Sequence, residues 1–367
     1  MDTSDPLIEF DEQGICNHCH KFDQLVASYP LDRTTEAKLE GIIAQIKEYG
    51  KEKKYDCIIG VSGGVDSTYV AYLVKRKYGL RPLAVHLDNG WNSELAVSNI
   101  TNFLKKLDID LYTHVIHWEE FRDIQLSFLK ASVSDAEAPT DHGISALLYQ
   151  TAIKYGVRYI IGGSNVRSEG VMPHLWTYPY VPYDFRYIKY VQKTYGSEKI
   201  RTFPHFSLWQ LFYYLYIRKI KMVHLLNYVP YVKQDALRII EKELEWRNYG
   251  GKHYESIYTR FFQAYILPRK FSIDKRKAHY AALIGSGQMP RSEALKKMEE
   301  PIAPPDMLTQ DRIYVIKKLN ISEQEFENIM ALPRKAFYHY KTYFPFLTRM
   351  KKIARILKKL HMWPESW

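Results

Sequence analysis

The chain has 367 residues, 46% hydrophobic and 25% charged, which allows two domains with cores of their own and excludes a disordered composition. No apolar run approaches the roughly 20 residues that cross a bilayer, and the opening MDTSDPLIEF lacks the basic and apolar regions of a secretory signal, so a cytoplasmic protein is expected. The net charge of +11 is uneven: residues 1–200 carry 22 Lys or Arg against 26 Asp or Glu, whereas residues 201–367 carry 30 against 15. The second part is therefore where an anion would be met, be it nucleotide, sugar nucleotide, RNA or membrane surface; the alternative is a solvated basic face.

Residues 1–50 form a short head. Cys16-Asn-His-Cys19 has the spacing of half a zinc site, but four ligands are usual and no second C-x-x-C is present. Zn2+ on Cys16 and Cys19, with His18 or His20 helping, stands beside the alternative of two ordinary thiols. A helix is expected over Glu36–Tyr49, closed by Gly50. Residues 51–200 then alternate β-branched runs with helical stretches: CIIGV, a helix through Lys77, PLAVHLD, a helix through Leu107, LYTHVIHW, a helix over Ile144–Tyr155, and VRYIIGG. That order predicts an α/β domain with a doubly wound parallel sheet. Ligands of such sheets sit beyond the carboxyl ends of the strands, which points to SGGVDS, DNGWN and GGSN.

After about residue 200 the strand pattern stops, and residues 201–367 read as a basic, mostly helical region for substrate or partner. Helices are expected over Phe206–Lys219, Gln234–Glu245, Tyr254–Ile266 and Lys275–Ile284, with Ser322 and Glu325 as a capping box and EEPIAPPDM as a linker. The aromatic residues of FSLWQLFYYLYIRK recur at helical spacing and suit a core or an interface.

SGGVDS carries the chemistry. Gly63 and Gly64 lack a Cβ, so the backbone can take left-handed angles and bring successive N–H groups to a ligand. A helix starting near Val65 adds its unpaired N–H groups and a partial positive charge, the setting in which phosphate is stabilised. Ser62 and Ser67 supply hydroxyls, and Asp66 can orient Mg2+ on a polyphosphate. The spacing matches neither a Walker loop nor a dinucleotide fingerprint. Strand, SGGVDS and helix resemble the PP-loop of the ATP pyrophosphatases, an adenine nucleotide alpha hydrolase-like fold. The resemblance implies that ATP is cleaved between its α- and β-phosphates, that AMP is transferred to a substrate oxygen, and that a nucleophile then displaces AMP. It also implies Asp88 and Asn89 near the nucleoside, and Gly163 and Ser164 on the other side of the pocket.

Adenylation serves acceptors whose oxygen must be made a leaving group, and an amide carbonyl needs it most: the O-adenylated amide is an activated imidate that ammonia converts to an amidine and AMP. No nucleophile elbow for a glutaminase is present, and Cys57 lies inside a strand, so a partner must supply the ammonia. The stretch from Trp246 to Leu295, together with MDTSDPLIEFDEQGICNHC, the loop and YIIGGSN, is similar to the bacterial N-acetyl sugar amidotransferases of surface polysaccharide synthesis. That resemblance implies an acetamido group of a nucleotide-linked sugar as acceptor, a UDP-linked diacetamido uronic acid being the first to try. It also implies a glutaminase resembling the histidine-biosynthesis amidotransferase, and a cyclase-like channelling subunit. It implies a further C-x-x-C just before MDTSDP, where this sequence begins.

Within that stretch Gly250 and Gly251 allow a close turn, Lys252, His253 and Arg260 offer cationic donors, and Glu255 can bind a hydroxyl or orient a base. Lys270, Lys275, Arg276 and Lys277 form a second basic cluster; Lys275 is the candidate for the leaving pyrophosphate and Arg276 for the sugar diphosphate. Asp141 and His142 in APTDHG suit a helix start. The basic stretch Arg334–Pro364, interleaved with apolar residues, suits an anionic membrane surface, RNA or an acidic partner, including the chain's own domain. A PP-loop tRNA-modifying enzyme is the main rival, although no nucleic-acid-binding fold is recognisable and no nucleic acid is expected; a nucleotide sensor is the rival without catalysis.

Overall fold

A computed structural model describes residues 1–359, with side chains as far as residue 353. The end of the basic stretch, residues 360–364, lies outside the described residues. Five parallel strands form one sheet in the order β3-β2-β1-β4-β5: β1 Cys57–Gly60, β2 Pro82–Asp88, β3 Asp110–Val115, β4 Tyr159–Gly162 and β5 Lys221–His224. Four of them are those read from the sequence; β5 pairs in register with β4, Tyr159 against Lys221 and Gly162 against His224. Strands therefore do not stop near residue 200. The run KMVH buries only Val223 and is four residues long, too short for a pattern to mark it.

Alternation along β1 divides the core. Ile58 joins one cluster with Val85 and Ile160, while Cys57 and Ile59 join the other with Ala84 and Ile161, one on each face of the sheet. Helices cover both faces. α1 Asn17–Ala27 and α2 Arg33–Gly50 precede β1; α3 Val65–Tyr72, α4 Glu94–Leu107, α5 Trp118–Ala131 and α6 Ala138–Lys154 fill the crossovers up to β4. α6 starts six residues before the expected Ile144, because Pro139 is tolerated in a first turn where its missing N–H has no partner to lose. Asp141 and His142 are thus inside the helix rather than at its cap.

Beyond β4 come α7 Val166–Glu169, α8 Phe185–Tyr195, α9 Leu208–Phe212, α10 Lys233–Leu244, α11 Ile257–Phe261, α12 Arg276–Gly285, α13 Arg291–Glu299, α14 Pro305–Leu319, α15 Glu323–Ala331 and α16 Phe344–Lys359. α15 carries the reciprocal capping box of Ser322 and Glu325. After α11 the chain widens into a π-helical stretch, Phe262–Phe271, which accommodates Pro268. Among the described residues no helix is long and apolar enough to cross a membrane.

The strand order reverses between β1 and β4, and the crevice at their carboxyl ends is where such a sheet binds a ligand. The second half closes over it. Ser93 N–H donates to Glu255 O at 2.9 Å and Ile257 N–H to Trp91 O at 2.9 Å, so residues 255–257 are laced to DNGWN after β2.

Candidate active site

β1 ends at Gly60 and the chain turns through Ser62–Gly64 into α3. Gly63 has φ +81°, and a Cβ there would lie 2.9 Å from Tyr249 Oη and 3.0 Å from the Ala96 carbonyl, so both the left-handed angle and the close approach require glycine. Gly64 caps α3 in an extended conformation. Ser67 Oγ donates to Gly64 O at 3.1 Å and sits 3.3 Å from Ser62 Oγ; the Gly64 N–H points to Ser62 Oγ at 3.3 Å. Two residues from the second half brace the turn: Trp246 Nε1 and Tyr249 Oη donate to Gly63 O at 2.8 and 2.9 Å. The opening of α3, from Val65, is thereby held as a cradle of N–H and hydroxyl groups that fits a phosphate.

Asp66 stands beside this cradle in the first turn of α3. The Tyr231 hydroxyl donates to its Oδ1. Gly163, after β4, packs on it so closely that a Cβ would lie 3.1 Å from the Asp66 carbonyl oxygen. Burial and the neighbouring Glu169 carboxylate push Asp66 above the usual carboxylate range, against the charges of Lys233 and Lys252 and the Tyr231 hydrogen bond. Burial would also raise Glu169, but Lys252, 3.0 Å away, outweighs it and holds that carboxyl low. Mg2+ takes one or two carboxylates and completes its shell with phosphate oxygens and water, and Asp66 with Glu169 fits that description for a metal arriving on ATP. Among the described residues no three His, Cys, Asp or Glu side chains group as a metal site by themselves.

A cleft of about 500 Å³ opens from the loop. Ser62 lines it with Val61, His86, Asn89 and Asn92. His86 Nδ1 donates to Val61 O at 2.8 Å, which leaves Nε2 to accept from Asn92 at 3.0 Å. Asp88 accepts the Gly90 N–H at 2.9 Å and so shapes the turn, while Asn89 faces the cleft and Ser164 is exposed outside it. His253 and Glu255 line it as well, 3.6 Å apart, with the Glu255 carboxylate beside Gly64. Burial would raise Glu255, but the His253 contact, with Lys233 behind it, holds it low. Lys275 lines the cleft too, with Asp135, Glu137, Asp141 and His279. Burial and the charges of Lys252, His253 and Lys275 hold His279 neutral.

Several expected site residues are engaged elsewhere. Arg260 does not face substrate: its guanidinium makes a two-pronged pair with the buried Asp311, at 2.7 and 2.6 Å. Arg276 is likewise taken, by Asp274 and by the carbonyls of Lys297 and Glu300. The second basic cluster is dispersed, because Lys270 is buried and donates to Ile329 O and Lys277 pairs with Asp2 at 2.7 Å. Helical geometry points consecutive residues in different directions, so a run of cations in sequence need not make one in space. The zinc expectation also gains no support. Cys16 and Cys19 lie 3.5 Å apart through sulfur, but His18 turns to Asp5 at 2.6 Å and His20 to Asp11 at 2.7 Å, and no third and fourth ligand join the thiols among the described residues.

Sequence reasoning missed Tyr231, Lys233, Trp246, Tyr249, Glu169 and the acids Asp135 and Glu137. Glu169 follows GGSN by four residues and was within reach of a motif-centred search; the others reach the site through tertiary folding alone.

Two family descriptions match the chain in separate blocks: NAD synthase over residues 36–204, and "LPS biosynthesis protein WbpG-like, C-terminal domain" over residues 255–355. An uncharacterized protein of Methanocaldococcus jannaschii is 23% identical over 317 residues, 83% of this chain and 93% of its own. The glutamine-hydrolyzing GMP synthase of Pyrobaculum aerophilum is 37% identical over 76 residues, 21% of this chain and 15% of that protein. Among solved structures, the NH3-dependent NAD synthetase of Campylobacter jejuni is similar at 13% identity over 82% of this chain and 98% of its own, with a TM-score of 0.30. The NMN synthetase of Francisella tularensis is similar at 21% identity over 37% and 57%, with a TM-score of 0.28.

Sheet, loop and the NAD synthase match over residues 36–204 define a PP-loop domain of NAD synthetase-like fold. The last third of the chain is similar to WbpG-like proteins of lipopolysaccharide biosynthesis.

Proposed function

We propose that the protein is an ATP-dependent amidotransferase that converts the acetamido group of a nucleotide-linked sugar to an acetamidino group for a lipopolysaccharide-type glycan. The observation that carries this reading is the shared cleft, which receives Ser62 from the NAD-synthase-like block and Glu255, Lys275 and His279 from the WbpG-like block. In it, residues 1–50 are a head, residues 51–200 the ATP domain, and residues 201–367 the acceptor and partner region. The acetamido oxygen attacks the α-phosphate, pyrophosphate leaves into the cradle at Ser62–Ser67, and the resulting O-adenyl imidate is attacked at carbon by ammonia. Loss of a proton and of AMP leaves the amidine. Asp66 would hold Mg2+ on the phosphates, and Lys252, His253 and Lys275 would offset the charge of pyrophosphate or the sugar diphosphate. A glutaminase with a cyclase-like channelling subunit would deliver the ammonia in the cytoplasm, and the basic α16 would touch an anionic membrane where the glycan is assembled.

The test mixes the protein with ATP, Mg2+, an ammonium salt and a panel of UDP-linked N-acetyl sugars, and follows pyrophosphate release and product mass. Release that depends on a sugar, with the mass change for exchanging a carbonyl oxygen for NH, is the expected result. Release triggered by tRNA and by no sugar would replace the reading with RNA modification.

A further inference from the structure

The aromatic run FSLWQLFYYLYIRK lies outside the cleft and only half of it is core. α9 continues from Phe212 through a π-helical turn, Tyr213–Ile217, and the reciprocal cap of Ser207 and Gln210 fixes its start. Its inner face packs: Tyr214 is buried and stacks on Tyr149 at 5.6 Å, and Leu211 and Leu215 lie against the core. On the outer face Trp209 is 82% exposed and Ile217 61%, with Phe212 and Tyr213 exposed beside them. Trp209, Phe212 and Tyr216 follow one another in ring contact, with centroids 6.4 and 4.6 Å apart. A helix face turned to water is ordinarily polar, so a run of large apolar side chains there marks a surface that binds something. At the end of the same helix Arg218, Lys219 and, opening β5, Lys221 are exposed, and among the described residues none of the three forms an ion pair. No Asp or Glu stands between Glu198 and Asp235.

We propose that this outer face is a docking surface for an anionic lipid bilayer, with Trp209, Phe212 and Ile217 entering the boundary between headgroups and acyl chains and Arg218, Lys219 and Lys221 meeting the anionic headgroups. It depends neither on the nucleotide-sugar reading nor on α16. Charge and size together select the occupant. A second copy of the chain, meeting this face with its own, would bring cations and no acid of the segment to answer them. A stable protein interface takes roughly 20–30 residues a side, far more than the few exposed rings and aliphatic side chains on these two short helical turns. A bilayer asks less: an apolar helix face sinks about 5–10 Å, Trp and Tyr keep their polar edges at the headgroups, and nearby Lys and Arg add attraction to anionic lipid.

The experiment sediments the full chain with vesicles of phosphatidylcholine alone and of phosphatidylcholine with phosphatidylglycerol. Binding to the anionic vesicles is expected to be about tenfold or more tighter than to the neutral ones, and to weaken as salt is raised. Trp209→Ser together with Phe212→Ser is expected to lower it by about tenfold or more, and Arg218→Gln together with Lys219→Gln by about tenfold, with circular dichroism and Tm unchanged because all four side chains are exposed. Absence of binding to either vesicle overturns the inference. Binding that survives Trp209→Ser with Phe212→Ser overturns it too and leaves α16 as the membrane contact. A dimer in solution that these two substitutions dissociate, without vesicle binding, would overturn it in favour of an interface between copies. None of these outcomes bears on the sugar reading, which stands or falls on pyrophosphate release.

Discussion

At the loop the ligand-facing groups are main-chain N–H and serine hydroxyls contributed by six consecutive residues, whereas the rest of the cleft is lined by side chains gathered from α6, its preceding turn, α12 and the stretch after α11. The loop end is closed on itself before any ligand arrives, Ser62 and Ser67 bonding within the turn and Trp246 and Tyr249 bracing it. On that lining Asp135 Oδ2 is buried without a hydrogen-bond donor among the described residues. A backbone cradle suits a group that every substrate of the enzyme class shares, while unsatisfied side chains suit the part of the acceptor that distinguishes one enzyme from another.

Changes at the loop end should break catalysis whatever the acceptor. Asp66→Ala is expected to lower turnover by about 10²–10³-fold with the fold retained, and Ser67→Ala to follow it, read as pyrophosphate release beside circular dichroism. Normal turnover in either variant would remove the loop from the chemistry. The scaffold gives the next effect. Arg260→Ala strands the buried Asp311 carboxylate and should destabilise the protein by about 3–5 kcal/mol, visible as a lower Tm; a large rise in acceptor KM with unchanged Tm would return Arg260 to the site.

Bracing should cost less. Trp246→Phe and Tyr249→Phe each delete one donor to Gly63 O, about 1 kcal/mol, and should raise KM for ATP by about fivefold without moving KM for the acceptor. Tyr231→Phe removes a hydrogen bond that lowers the Asp66 pKa, so the acidic limb of the rate profile should shift to higher pH. An acid limb that stays in place would show that Asp66 ionisation does not limit the rate.

The smallest effect concerns the acids of the cleft lining alone. Folded-state pKa values near 6 and 7 for Asp135 and Asp141 exceed the ordinary carboxylate value, so between about pH 4 and 7 the folded protein binds more protons than the unfolded chain, and this contribution to stability falls as pH rises. Because Asp141 opens to cleft water, Asp141→Asn should raise Tm at pH 7.5 by only about a degree or two and leave it nearly unchanged at pH 5. Equal changes at both pH values would mean packing rather than charge.

Legibility followed distance along the chain. The sheet was readable because β-branched runs alternate with helical stretches from Cys57 to Gly162, and the phosphate cradle because its glycines, serines and Asp66 are adjacent. Arg260, Arg276, Lys270 and Lys277 misled for the opposite reason: sequence shows that a cation is present but not that a carboxylate or carbonyl far along the chain already engages it. Asp141 and His142 suited a helix cap and its neighbour because the start of α6 depends on how Pro139 is accommodated.

By itself the sequence determined the parallel α/β domain, the loop that ends its first strand and the chemistry of small, polar and acidic residues at that turn, all of which depend on neighbours a few residues apart. Only the tertiary structure decided that Trp246, Tyr249 and Tyr231 buttress the loop, that β5 extends the sheet, and that Asp135, Glu137 and Asp141 line one cleft with Lys275. Those pairings join residues from about sixty to nearly two hundred positions apart, and burial, charge and hydrogen-bond supply are set there by which segments pack together rather than by any local pattern.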